Sequence, residues 1–258
     1  MKIPRLISQV WIGPLPAPEK WMRTWPKQNP DWRYERWDNA RVFGRTWRNQ
    51  HLIDEYVRQY EEEIKGKGSD GRDRFMSARG VVYQGEKATA FAWHVIADLL
   101  RYEILFEYGG YMPGADSACI APIPANKFGP DTELYTLNTG HLFREQRRKI
   151  RSKYTNGRPQ GHDLLLWRRY AAENASPPLA AAPGNEFLRH CIEELGKLQP
   201  HELGEAVDTT GNVFMGRMLK KYPPQNALIP EYTLRRLRRN NHSIHYAGTT
   251  KNRYARGR

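Results

Sequence analysis

Apolar positions along this chain fall into short alternating runs separated by longer helical stripes. Residues 7–13, ISQVWIG, alternate and end in Gly-Pro, which predicts a first strand running into a loop. WRYERWD, residues 32–38, predicts a second strand after the turn signal Asn29-Pro30-Asp31. Residues 50–64 space their apolar side chains as an amphipathic helix, and 65–74, KGKGSDGRDR, predict a glycine-rich loop expected to be the most mobile segment. Residues 88–108 are apolar on most sides and predict a buried helix stopped by Gly109-Gly110. Further on, TELYTLN predicts a strand, PPLAAAPGNEFLRHCIEELGKL a strand and a helix, TGNVFMGRMLKKY a helix, and HSIHYAG (242–248) a strand and turn. Alternating strands and helices imply an α/β fold with a largely parallel sheet. In such sheets ligands sit beyond the carboxyl ends of the strands, so Gly13, Gly110 and Gly248 mark the exits to inspect.

A length of 258 residues suits one large domain, taken as residues 1–258 with a basic tail at about 251–258. Hydrophobic residues at 39% and eight Trp exclude a disordered chain. No run of eighteen apolar residues and no apolar leader core is present, so the expectation is a soluble, cytoplasmic protein without a transmembrane segment. Two cysteines, Cys119 and Cys191, cannot build a disulfide framework or a Cys-type metal site, and Cys119 reads as a small core residue.

The formal net charge of +13 changes the list of partners, because a basic surface attracts phosphates of any kind. The charge concentrates in REQRRKIRSK (144–153), LRRLRRNN (234–241) and KNRYARGR (251–258). The first two read best as solvated faces. The tail could recruit an acidic or membrane-bound acceptor, which leaves peripheral attachment to the inner face of a membrane open. A nucleic-acid-binding protein is the reading from a different class, but the basic runs lie outside the Trp-rich segments and no known nucleic-acid module appears.

A handful of residues could carry chemistry. Asp98 and Arg101 stand three apart and so share a helix face among apolar neighbours. They form either an ion pair that satisfies itself or a pair that hydrogen-bonds a hydroxylated ligand. Asp116, just past the glycine pair, is placed to ligate a hard cation that bridges phosphates, or simply to cap a turn. His245, Gly248 and Lys251 fall within seven residues: a metal ligand, a close backbone approach and a point charge for phosphate, or a surface histidine beside a basic tail. Trp11, followed closely by Gly13-Pro14, could stack on a nucleobase or be one more core aromatic.

These pieces occur in a familiar order. IPRLISQVWIGPLPAP resembles the opening Ile-Pro-Lys-Ile-Ile-His-Gln-Ile-Trp-Ile-Gly of the glycosyltransferase family 32 group of sugar transferases with a DXD motif. VIADLLRYEILFEYGGYMPGADS is similar to that group's Ser-Asp-Leu-Leu-Arg-Tyr…Tyr-Gly-Gly…Asp-x-Asp segment, shared more loosely by the large glucosylating bacterial toxins. The turn at Asn29, PLAAAPGNEFL and TGNVF fit the same pattern, and HYAGTTK resembles the His-Tyr-x-Gly-x-x-Lys ending of family 8 transferases. The likeness covers most of the chain and is weakest over 124–173.

The resemblance implies a GT-A fold, a single Rossmann-like domain with a mostly parallel central sheet. It implies transfer of a hexose from a nucleotide diphosphate-sugar, UDP- or GDP-linked, to a hydroxyl of a glycan, lipid-linked or protein acceptor. It also implies roles. Trp11 would stack on the base, and Asp98 and Arg101 would hold the donor sugar's hydroxyls. Asp116 and His245 would ligate Mn²⁺ or Mg²⁺, and Gly248 and Lys251 would meet the phosphates. Two positions depart from the pattern: Gly114 stands where the first acid of Asp-x-Asp belongs, and Ser8 where the family has His. Gly114 could instead let the backbone approach the ribose. The resemblance also implies retention of configuration; no carboxylate reads as a nucleophile or general base, and a front-face route, in which the leaving phosphate helps deprotonate the acceptor, would need none. A catalytically degenerate paralogue that binds the donor without turnover is the other reading that Gly114 supports.

Overall fold

The computed structural model describes residues 2–76, 82–123, 128–138, 140–161, 163–164, 167, 175–199, 209–229 and 243–245. A six-stranded sheet is ordered β2-β1-β5-β8-β7-β9, comprising β1 (Leu6–Val10), β2 (Arg33–Trp37), β5 (Gly110–Met112), β7 (Leu134–Asn138), β8 (Ala175–Ala181) and β9 (Ala227–Leu228). Strand β1 runs parallel to β2 and β5, and β9 parallel to β7. Only β8 is reversed, pairing antiparallel with both β5 and β7. The sheet is therefore mostly parallel, as the strand-helix alternation predicts.

Both faces of the sheet are covered, which is why β1 is buried at all five positions. One face packs on α5 (Glu86–Tyr108), which also meets α4 (Gln50–Gln59) and α7 (Glu186–Gly196). Val95, Ile96, Leu99, Leu100, Ile104 and Leu105 of α5 build this core with Val10, Leu52 and Leu188. The other face carries an aromatic cluster of Trp25, Trp32, Tyr111, Phe128 and Tyr135 around Ile7. Being packed between sheet and helices explains why α5 is apolar on most sides.

Gly109 and Gly110 reverse the chain from α5 into β5, with φ of +66° and +101°. A Cβ on Gly109 would lie 2.7 Å from Pro183 Cδ, and one on Gly110 would run into the Leu6 carbonyl. Only glycine combines this backbone with that closeness. The pair thus sits at the entry of β5, the opposite end from the exit expected of Gly110. That correction matters: α5 and β5 form an antiparallel unit whose open end lies at the carboxyl edge of the sheet.

Several elements escape the periodic pattern. α1 (Glu19–Met22), α2 (Thr24–Gln28) and α3 (Asn39–Phe43) are too short to show a helical stripe. The helix expected over 50–64 is α-helical to Gln59 and then passes into a π-turn over Tyr60–Ile64, which turns both of those side chains inward. The charged loop leads into a hairpin of β3 (Arg74–Met76) and β4 (Val82–Gln84). Its Asp73 carboxylate accepts hydrogen bonds from Tyr60 Oη (2.9 Å), Thr89 Oγ1 (2.5 Å) and Gly66 N (3.2 Å). The run at 144–153 belongs to α6 (Gly140–Ser152), and 212–221 form α8 (Asn212–Lys221). The run at 234–241 and the tail at 251–258 lie outside the described residues.

Candidate functional site

The carboxyl edge of the sheet is where the candidate residues gather. Ile7 pairs with Tyr111, so counting three residues onward brings Val10 level with Gly114. Gln9 makes that proximity physical: its Nε2 donates to Gly114 O (3.2 Å), and its Oε1 accepts from Tyr34 Oη (2.9 Å). Gly114 begins a turn closed by Ser117 N (3.1 Å) and reinforced by Ser117 Oγ (2.5 Å), both donating to Gly114 O. Ala115 at the centre of the turn is buried and Asp116 is half-buried. Trp25 Nε1 donates to Ser117 O (3.0 Å), which ties the turn to α2.

After the turn, β6 (Ser117–Cys119) pairs antiparallel with β10 (Ser243–His245), and the register sets His245 opposite Ser117. His245 and Ser117, the neighbour of Asp116, thus share one rung although they stand 128 positions apart in sequence. Gly248 and Lys251 lie outside the described residues. Cys119 is buried as expected, and burial pushes its thiol pKa up. Its N–H donates to Thr24 Oγ1 (2.7 Å), while Asn29, 3% exposed, accepts from Ile123 N (2.7 Å) and donates to Trp25 O (2.9 Å). The Asn29 turn is thus a clamp behind the β6 platform.

At the exit of β1, Trp11 is half-buried, and its indole Nε1 donates to Leu15 O (2.9 Å). Gly13 follows at φ +93°, its N–H bonded to Asn39 Oδ1 (2.8 Å) and its carbonyl to Asn39 Nδ2 (3.0 Å). A Cβ on Gly13 would stand 2.7 Å from the Trp93 ring, so this exit closes directly on α5.

Helix α5 supplies the charged pair. With a rise of about 1.5 Å per residue, Asp98 lies about 16 Å back from the Gly109 reversal, and a strand covers that distance in about five residues. That count sets Asp98 level with residues 114–115. Asp98 is 2% exposed. Arg101 Nη1 stands 2.7 Å from its Oδ1 and His94 Nε2 3.7 Å from its Oδ2. The Arg101 contact is close but off the hydrogen-bond angle. Asp98 Oδ1 and Arg101 Nε are both buried without a hydrogen-bond partner among the described residues. Such orphaned groups are costly, and the pair does not satisfy itself by hydrogen bonding.

Two tyrosines flank Asp98. Burial, with the Asp98 charge adding to it, holds the Tyr56 and Tyr102 hydroxyls well above their ordinary pKa. Tyr102 Oη donates to Thr210 O (2.5 Å), which brings the segment leading into α8 against the same helix. Sequence reasoning missed Gln9, Tyr34, Tyr56 and His94. His94 was within reach, since it precedes Asp98 by one helical turn.

Among the described residues no three His, Cys, Asp or Glu side chains stand together as a metal site. A cation that bridges phosphates, however, commonly takes only one or two carboxylates, the phosphates supplying the rest. A half-buried Asp116 on a rigid turn fits that mode.

No protein-family model and no curated protein matches the chain. Two solved glycosyltransferase structures are similar to it. One, described as "PaToxG Glycosyltransferase", shares 13% identity at a TM-score of 0.44, over 86% of this chain and 70% of that one. The other, the ligand-free glycosyltransferase domain from the YGT toxin, shares 12% at a TM-score of 0.31, over 75% of this chain and 62% of that one. Among the described residues no helix is long and apolar enough to cross a membrane.

Proposed function

We propose that this chain is a glycosyltransferase of the GT-A type that moves a hexose from a nucleotide diphosphate-sugar to an acceptor hydroxyl. One observation carries the reading: the pair of buried Asp98 and half-buried Arg101, short of hydrogen bonds, lies level with the Gly114–Ser117 turn that presents Asp116. A polyhydroxylated sugar would supply the missing partners of Asp98 and Arg101. Asp116 and His245 would hold Mn²⁺ or Mg²⁺ against the diphosphate, where the cation would offset charge developing on the leaving group. Trp11 would face the base, and Gly248 and Lys251 would approach the phosphates. With no carboxylate assigned as nucleophile, the leaving phosphate itself would take the acceptor proton, and configuration would be retained. The chain as a whole would work as one transferase domain.

The test is a thermal-shift panel of UDP-, GDP- and dTDP-sugars with and without Mn²⁺, repeated on Asp116→Ala. Metal-dependent stabilisation by one donor, lost in the variant, is expected. A fully active Asp116→Ala protein would overturn the metal role. Gly114 favours a second reading, a donor-binding paralogue without turnover. Metal-independent binding with no hexose transferred to water or acceptor would select it.

A further inference from the structure

Arginines on most of the described surface meet carboxylates: Arg36 with Glu19, Arg41 with Glu35, Arg58 with Glu55 and Arg189 with Glu193. Helix α6 and its continuation break that habit. Residues 140–163 hold seven Lys or Arg against Glu145 and Asp163. Arg148, Arg151 and Arg158 are exposed, and no carboxylate lies within ion-pair distance of them among the described residues. The helix is anchored from its other side, where Ile150 is buried and the Arg147 guanidinium lies 4.1 Å over the Trp167 ring. Its outward side is therefore a fixed cationic surface.

A second feature projects from the same edge of the molecule. The β3–β4 hairpin packs on the first turns of α5, about 18 Å beyond Asp98 at 1.5 Å per residue. It exposes Met76 (65%) and Val82, and Phe91 of α5 is 40% exposed beside Tyr83, with ring centroids 4.1 Å apart. Helix α6 starts two residues after the carboxyl end of β7, so the helix that carries the cationic patch and the hairpin that carries the apolar one both leave from the edge of the candidate site.

We infer that this edge docks onto an anionic lipid bilayer, with Arg148, Arg151 and Arg158 on the headgroups and Met76, Val82 and Phe91 dipping into the interface. A bilayer rewards both patches at once, charge by its headgroups and apolar side chains by its interfacial region. A nucleic acid would leave the exposed aliphatic side chains Met76 and Val82 unused, since its bases offer stacking to aromatic rings. Docked this way, the site would open toward acceptors held at a membrane surface.

Sedimentation of the full chain with lipid vesicles tests this without any donor or metal, so it is independent of the chemistry proposed for the site. Phosphatidylcholine vesicles with about one-third phosphatidylglycerol should carry the protein down, and pure phosphatidylcholine vesicles should not. Arg148→Ala/Arg151→Ala should lower partitioning about 25-fold, about fivefold per charge, and flatten its salt dependence. Met76→Ser/Phe91→Ser should weaken binding at unchanged salt slope. All four positions are at the surface, and unaltered thermal unfolding of the variants checks that they fold. Equal binding to neutral vesicles, no loss in the arginine variant, or tighter binding to single-stranded RNA at the same salt would overturn the inference.

Discussion

Glu103 provides the sharpest test of how α5 divides its charged residues between folding and function. It is 4% exposed, two positions beyond Arg101, yet its carboxylate faces α4. Its Oε2 accepts from Arg48 N (2.6 Å) and its Oε1 from Asn49 N (2.9 Å), the N–H groups that open α4. Hydrogen bonds to a charged group contribute about 1.5–3 kcal/mol each, and a buried N–H left without a partner costs a similar amount. Truncation also removes a buried carboxylate, whose desolvation pushes its pKa up and offsets part of the loss. Glu103→Ala should therefore cost about 3–4 kcal/mol, which for a chain of this size lowers Tm by about 10 °C. Glu103→Gln keeps one acceptor oxygen and should lose about half as much. Urea unfolding at unchanged m-value would measure both. The sign with pH follows from the raised value: the folded state keeps its proton above pH 4.5, where the unfolded chain has lost it, so this group's contribution to stability falls as pH rises through that window. Glu103→Gln should remove that slope. A Tm within 2 °C of wild type for Glu103→Ala, or loss of donor binding by a variant that still folds, would refute the assignment.

Gly110→Ala forces an L-residue to φ +101° and drives its Cβ into the Leu6 carbonyl, so a loss of at least about 3 kcal/mol is expected. Gly71→Ala, at φ +74° with nothing within 4 Å, should cost about 1 kcal/mol. Equal Tm values for the two variants would sink the steric argument. Glu194 pairs with Lys197 (2.5 Å) at the end of its own helix and ties α7 to α8 through Lys221 (2.7 Å), the Lys197 hydrogen bond leading in holding its pKa down to about 2. Its contribution is present above the unfolded value of 4.5 and is lost as pH falls toward 2. Since both lysines are more than half exposed, the contribution is about 1 kcal/mol. Tm measured against pH should be flatter below 4.5 in Glu194→Gln, and superimposable profiles would contradict this.

Long-range periodicity made α5, α7 and α8 readable, because each buries a continuous apolar stripe. The alternation of 7–13 and 32–38 marked the paired strands β1 and β2 for the same reason. Elements shorter than two helical turns leave no stripe to read, hence the silence over α1 to α3. The β3–β4 hairpin was hidden because both its faces are partly exposed, so neither is uniformly apolar. Within the site, Asp98 and Arg101 were legible from their spacing alone. Gln9 was not: its value lies in joining Tyr34 to Gly114, 105 residues further on, which only the strand register reveals. Gly110 was misplaced because a glycine signals a backbone turn without saying whether the strand begins or ends there.

Gly114 bears most directly on whether the site is complete. Its carbonyl is committed to Gln9 Nε2 and to both Ser117 donors, so the turn that presents Asp116 is a platform held by β1, α2 and β6 rather than by any side chain at 114. Nor does the backbone demand glycine there, since Gly114 is not among the residues with positive φ. An acid at this position is thus absent without the platform having been lost. Gly114→Asp should place a second carboxylate beside Asp116 and tighten Mn²⁺-dependent nucleotide binding by about tenfold, as ligand charge tunes affinity at oxygen-ligated sites. Titration calorimetry with the donor found by thermal shift measures the change, with and without Mn²⁺. A gain confined to the metal-containing arm would mean that the native chain holds its cation through Asp116 at reduced affinity. Unchanged or weaker binding in a folded Gly114→Asp protein would mean that the turn does not face a metal at all, and the role given to Asp116 would fall with it.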